Sequence, residues 1–178
     1  MLTHLNRWAV ILATLALCQS SMGQTTELLD VRQDTQIQGL ANTLGIPNGV
    51  LPLDFSVAKY RVTYPMPYLG QTFDVTAAMF VPVDSEGNTV TCALPTHTYM
   101  HGTIFLREAG PSYAGFEGEL GYLMAAGGTV TLMPDYLGLG GSEDVLHPYV
   151  HAESEAESGM SLLSAVVALQ DGLGFSLN

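Results

Sequence analysis

The stretch "PTHTYMHGT", Pro95 to Thr103, carries two histidines four residues apart and closes on His101-Gly102-Thr103. Histidine ligates metals and serves as a general base, and a glycine beside it lets the backbone bend and come close to a ligand. A second pair, His147 and His151, repeats the spacing, and Asp135 and Asp144 stand near it in sequence. Four histidines and two carboxylates raise the question of a zinc site. On a helix, side chains four apart converge on one ion. On a strand, at about 3.3 Å per residue, His97 and His101 stand about 13 Å apart. Pro148 interrupts the second pair and pushes His147 out of helical geometry. The expectation is therefore no metal, with His97 a hydrogen-bonded core residue. A histidine-rich metal-binding protein, joining one histidine from each pair, ranks as the third choice.

The turn itself offers different chemistry. A chain that leaves a strand at His101 and bends at Gly102 presents the backbone amide of Thr103 to a cleft. Two such amides aimed at a developing oxyanion lower an acyl-transfer barrier by several kcal/mol. Thr103 and Gly102 thus read as half of an oxyanion hole.

Elements must hold this turn in place. Ile37, Leu40, Ala41 and Leu44 recur at helical spacing and stop at Gly45 and Pro47. "SVAKYRVTYP" and "TFDVTAAMFVPVD" alternate like strands around the turn "MPYLGQ" and predict an antiparallel pair. "TVTCALPTHTYMHG" predicts a third strand ending at Gly102. A helix follows from Phe116 to Ala126, with Phe116, Leu120, Leu123 and Met124 inward and Gly127-Gly128 as its stop. "TVTLMPDY" is a fourth strand, and the glycine-rich loop "LGLGGSEDVLHPYVH" follows it.

The last helix, "AESEAESGMSLLSAVVALQDG", is expected to bury Ala156, Met160, Leu163 and Val167, with Leu162, Val166 and Leu169 widening the stripe. Glu153, Glu155 and Glu157 crowd its first turns, where carboxylates stabilise the positive end of the helix dipole. An antiparallel opening followed by strand, helix, strand, helix predicts an α/β sheet whose later strands run parallel. Ligand sites in such sheets lie at the carboxyl ends of the strands, where His101-Gly102-Thr103 and Asp135-Tyr136 both fall.

Composition sets the outer limits. The 178 residues are 47% hydrophobic, enough for one domain with a sizeable core. A basic start at Arg7, an apolar run from Trp8 to Leu17, and small Ser21 and Gly23 read as a secretory signal peptide over residues 1–23, leaving 24–178 as the domain. The rival, a lipidated Cys18, is disfavoured by the bulky Leu17 before it. No integral span is expected after cleavage, and the location is secreted or periplasmic. Cys92 then has no internal disulfide partner. All 17 acidic residues follow the expected cut against four basic ones, a balance that repels phosphate backbones and excludes nucleic acid as a partner.

"LPTHTYMHGT", "GTVTLMPDYLGLGGSE" and "LHPYVHAESEAESGMSLLSAV", in that order and spacing, resemble the amino-terminal half of secreted α/β-hydrolases of the secretory-lipase type, over about residues 57 to 178. The resemblance implies an oxyanion amide at Thr103, a bend at Gly102 and a supporting side chain at His101. It also implies that Asp135 and Tyr136, with Gly138 and Gly140, shape the cleft wall, and it implies no organic cofactor. The family's nucleophilic serine sits later, in a Gly-x-Ser-x-Gly elbow, followed by the acid and the histidine base. "GGSED" (Gly140 to Asp144) has aspartate where the closing glycine must stand, and "GFSLN" (Gly174 to Asn178) has asparagine there and no strand expected before it. A substitute triad of Ser142 with His101 or His151 departs from the usual order.

The fold class expected is thus the amino-terminal half of an α/β-hydrolase sheet, truncated before the elbow. The function expected is that of a fragment of a secreted serine esterase or lipase, inactive alone, whose substrate is a small-molecule or lipid ester. The alternative is a small secreted binding domain without catalysis. Truncation also predicts an unpaired outer edge on the fourth strand and poor folding of the isolated piece.

Overall fold

The computed structural model describes residues 23–142 and 145–178. Apart from Gly23, the expected leader lies outside the described residues, as do Glu143 and Asp144. Strands β1 (Thr25–Arg32), β2 (Ser56–Tyr68) and β3 (Gln71–Val83) form an antiparallel meander. Then come β4 (Ala93–Leu94), β5 (Thr96–Thr98), β6 (Val130–Pro134) and β7 (Ser176–Leu177). The main sheet runs β1-β2-β3-β6-β5, and β4 pairs in parallel with β7. Helices α1 (Asp34–Thr43) and α2 (Phe116–Ala125) pack on one face of the sheet, and α3 (Ala152–Leu173) packs on the other. This is the mixed antiparallel-then-parallel sheet with flanking helices expected of an α/β-hydrolase amino-terminal half.

Strand alternation divides β2 between the two layers. Val57 enters the core under α1 and α2, while Val62, Tyr64 and Met66 enter the core under α3. Tyr64 is fully buried and satisfies its hydroxyl by donating to the Ser158 carbonyl at 2.9 Å, which ties α3 to the sheet. The β2–β3 hairpin closes through Leu69 and Gly70, with φ of 49° and 76°. Two positive values in a two-residue loop match the twist of the strands it joins, a tighter turn than the six residues "MPYLGQ".

Several sequence expectations need correction. β1 carries no alternating apolar signal because it is an edge strand: Leu28 is exposed, and the register slips between Leu28 and Asp30. The third strand does not run unbroken to Gly102. Pro95 divides it into β4 and β5, and ladder pairing ends at Thr98. His97 is on the exposed side of β5, not in the core, with Nε2 3.4 Å from Thr131 Oγ1.

The fourth strand, β6, is internal, paired antiparallel with β3 and parallel with β5, so it has no free outer edge. "GFSLN" follows a helix, α3, and not a strand, as expected, and its serine lies inside the short strand β7. In α2 the inward face is Gly118, Gly121, Tyr122, Leu123 and Ala125, while Phe116 is exposed. A Cβ at Gly121 would overlap the Phe80 ring, so the helix lies directly on β3 through its glycine. In α3 the buried residues are Ser154, Ser158, Leu162, Ala165 and Val166. Ala156, Met160 and Val167 face outward, a rotation of the expected stripe that the two buried serines disguised. Among the described residues no helix is long and apolar enough to cross a membrane.

Candidate active site

Beyond Thr98 the chain continues as coil through His101, Gly102 and Thr103, and beyond Pro134 it enters the loop that begins at Asp135. β5 and β6 are parallel neighbours, so both segments emerge at the same end of the sheet. Between them lies a crevice of about 230 Å³ whose lining includes His101, Gly102, Thr103 and Tyr136. His101 is buried, whereas Gly102 and Thr103 are exposed at the mouth. The amides of Gly102 and Thr103 donate to no other group among the described residues.

His101 fixes the orientation of the turn. Its Nδ1 lies 2.7 Å from the Gly102 carbonyl, which can only accept, so this nitrogen carries the proton. Holding that carbonyl toward the imidazole turns the planar trans peptide so that the Thr103 N–H points away from the ring. Tyr136 holds the other side of the histidine. Its ring centroid stands 4.2 Å from the imidazole, and its hydroxyl donates to the His101 carbonyl at 3.0 Å. Burial, and next the Glu155 carboxylate, push the Tyr136 phenol well above its ordinary range, so it remains a donor.

Tyr136 has φ of 70°, a left-handed conformation that costs a non-glycine residue about 1–2 kcal/mol and persists where the surroundings fix it. The fixing residue is Asp135. Its carboxylate is fully buried and accepts from the Ser112 amide at 2.9 Å, the Ser112 hydroxyl at 2.5 Å and the Thr76 hydroxyl at 2.6 Å. Thr76 Oγ1 in turn accepts from the Gly141 amide at 2.8 Å. Asp135 does not line the crevice; it stands behind the wall and binds β3, the loop at Ser112 and the glycine loop into one unit. Gly110 and Gly140 make room for it, since a Cβ at either would meet the carboxylate.

Gly102 differs from those glycines. A Cβ there would meet nothing within 4 Å, and its φ is outside the left-handed region. The bend therefore does not demand glycine for its backbone angles, contrary to the sequence argument.

The sequence reading missed part of the lining. His147, weighed only as a metal ligand, stacks near Tyr136 at 6.2 Å and places Nδ1 2.8 Å from the Leu137 carbonyl. Tyr149 puts its hydroxyl 3.2 Å from Thr103 Oγ1 across the mouth. Both lie in "LHPYVH", a stretch that stands out for its histidine spacing and for the family resemblance, neither of which placed these two rings at the crevice. Arg107, in the short 3-10 turn Arg107–Ala109, donates to the Ser142 carbonyl at 2.8 Å and the Val145 carbonyl at 3.4 Å, clasping the two loops together.

The substitute triad does not assemble. Ser142 Oγ is buried, accepts from the Gly138 amide at 2.8 Å and donates to the Leu139 carbonyl at 2.8 Å, so it is a loop-forming hydroxyl. His151 caps α3, its Nδ1 accepting from the Ser154 amide at 3.2 Å. Ser176 is exposed within β7 rather than at a strand-to-helix elbow. Among the described residues no three His, Cys, Asp or Glu side chains gather closely enough to hold a metal ion.

No protein-family model matches the chain, and no curated protein is similar to it in sequence. Solved structures are similar to it. A Legionella pneumophila protein assigned as a hydrolase superposes with a TM-score of 0.72 at 27% identity, over 86% of this chain and 41% of that one. A point variant of the rice cell wall degrading esterase LipA from Xanthomonas oryzae superposes with a TM-score of 0.70 at 21% identity, over 86% of this chain and 39% of that one. A ligand-bound form of the same esterase gives 0.68 over the same shares. The chain spans about two fifths of the length of these neighbours and shares their fold, a hydrolase-like one.

Proposed function

We propose that this chain is the amino-terminal part of a secreted serine hydrolase of carboxylic esters, in which the Thr103 amide is one half of the oxyanion hole. The observation that carries the reading is the oriented peptide at the crevice mouth. Its carbonyl is held by His101, and its amide is unpartnered among the described residues. A hydrogen-bond donor fixed in advance at an open cleft stabilises charge that develops on a carbonyl oxygen during acyl transfer, without reorganising at the moment of reaction.

In this reading a serine from sequence beyond Asn178 attacks the ester carbonyl. The carbonyl oxygen, as it gains negative charge, accepts from Thr103 and from the amide that follows the nucleophile. His101 and Tyr136 position the turn, and Asp135 holds the wall to which Tyr136 belongs. The hydrolase and esterase neighbours support the ester-cleaving class, and the apolar Ile104, Leu139 and Val150 in the crevice lining suit an ester with an apolar body. The 178-residue chain alone lacks nucleophile, acid and base in this reading, and is inert.

The test is hydrolysis of a short-chain p-nitrophenyl ester by this chain and by a form whose reading frame is extended past Asn178. Activity only in the extended form supports the proposal. Activity in the short form that disappears in Ser142→Ala would show that the nucleophile lies within this chain. A reading frame that stops at Asn178, with a folded and inert product, would favour the non-catalytic binding domain.

A further inference from the structure

The crevice beside the Thr103 amide carries a charge that the oxyanion reading leaves unused. Glu155, in the first turn of α3, is the one carboxylate in its lining, and neither lysine nor arginine is there to match it. The Glu155 side chain accepts no hydrogen bond and joins no ion pair among the described residues, whereas Glu157 one turn further takes the Ser161 hydroxyl. Arg107 gives its guanidinium to the Ser142 and Val145 carbonyls and does not reach the lining. The charge of Glu155 is felt inside: after burial, it is the largest influence raising the Tyr136 phenol.

Aromatic rings bound the same space. Tyr136 and His147 lie nearly parallel, with an interplanar angle of 10°, and Tyr149 stands edge-on to His147 at 71°. Tyr149 is the open ring, 63% exposed at the crevice mouth. The loop that carries it is held at Val150, whose φ of 54° is an outlier for a β-branched residue and persists only where the surroundings impose it. Ile104 and Leu139 add hydrocarbon to the lining.

We infer that this crevice selects esters that bear a quaternary ammonium group, with Glu155 as the specificity-determining residue and Tyr149 as the ring on which the cation packs. The inference rests on the reading of the crevice as an ester site and names the substrate class. An unmatched carboxylate in a concave wall attracts a cation and repels an anionic ester. A tyrosine face attracts cations through its ring quadrupole. The type of cation follows from the remaining polar groups. A primary ammonium brings three N–H donors, yet the Thr103 and Tyr149 hydroxyls already bond to each other across the mouth. A trimethylammonium has no donor to satisfy and presents methyl groups to Ile104 and Leu139. The excess of 17 acidic over five basic residues steers such a cation toward the protein.

The test uses the complete natural protein at about pH 8, above the ordinary histidine range, so that His101 and His147 add no charge. Calorimetric titration compares choline with its carbon isostere, in which a tert-butyl group replaces the trimethylammonium. Hydrolysis compares butyrylcholine with the butyrate ester of that isostere. Choline should bind at least about tenfold more tightly than the isostere, and kcat/KM should favour butyrylcholine by about the same factor. Glu155→Gln should bring both ratios to within about threefold of unity, and Tyr149→Leu should lower them by a few-fold. A merely structural role for Glu155 would slow both esters together and leave the ratio unchanged, which overturns the assignment. Should the variants fold poorly, the two ratios of the unaltered protein still decide. Hydrolysis of the neutral ester with no cationic preference and no saturable choline binding overturns this inference and leaves the ester-cleaving function in place. Choline binding by a protein that cleaves no ester overturns that function and keeps the cation site.

Discussion

The two sides of the crevice are built on opposite principles. The wall from Asp135 to Ser142 is held from every direction: three hydrogen bonds reach one buried carboxylate, Tyr136 and two glycines have positive φ, and Arg107 clasps it from outside. The facing turn at Gly102 and Thr103 is exposed, a Cβ on its glycine would meet nothing within 4 Å, and few bonds restrain it: His101 to the Gly102 carbonyl, Tyr136 to the His101 carbonyl, and the Thr103 hydroxyl to that of Tyr149. The difference teaches where order is placed. Strain and buried charge are confined to the wall, so that a single peptide opposite can be left open in a fixed orientation.

That contrast can be broken most severely at Asp135. Asp135→Ala strands the Ser112 amide, the Ser112 hydroxyl and the Thr76 hydroxyl, and should destabilise the extended protein by about 3–5 kcal/mol in urea unfolding. A loss under about 1 kcal/mol would mean that the wall is held elsewhere. Two glycines test the contrast directly. Gly140→Ala places a Cβ against Asp135 and Thr76 at a φ of 57°, and should cost about 1–3 kcal/mol of stability. Gly102→Ala should change stability by less than about 0.5 kcal/mol, yet slow ester hydrolysis about tenfold by crowding the Thr103 amide.

A smaller effect comes from Lys59, behind the wall on the far side of Ser112. Its folded pKa of about 8 lies below the ordinary 10.5 that the unfolded chain shows, so between these values the unfolded state binds more protons. Stability should rise with pH from about 8 to 10, by on the order of 1–2 kcal/mol, and the rise should vanish in Lys59→Met. Above pH 10 the sign reverses, because the buried Tyr122 and Tyr136 hold their protons longer than in the unfolded chain. A comparably small loss is expected from Tyr136→Phe, which removes the donor to the His101 carbonyl and should cost about 1 kcal/mol in denaturant unfolding.

The sequence made the hairpin, the order of elements and the turn at His101 legible because each rests on local pattern: alternation, stop residues, or a glycine after a strand. It concealed what depends on tertiary neighbours. β1 shows no alternation because its outward edge meets water, and the inward face of α2 is written in glycines that only the Phe80 ring explains. The outward turn of Met160 on α3 was hidden for the same reason, since buried Ser154 and Ser158 read as polar positions. At the site, the place of Asp135 directly after β6 is legible, but its partners Ser112 and Thr76 belong to segments with no motif. Lys59 reads as a solvated strand residue, and nothing local announces that it is buried.

The most direct test of the central claim is the rate of ester hydrolysis by the extended protein carrying Thr103→Pro beside the one carrying Thr103→Ala. Proline removes the backbone donor while alanine keeps it, so Thr103→Pro should lower kcat by about 10²- to 10³-fold and Thr103→Ala by only a few-fold. Equal kcat in the two variants would contradict the assignment of that amide to the oxyanion.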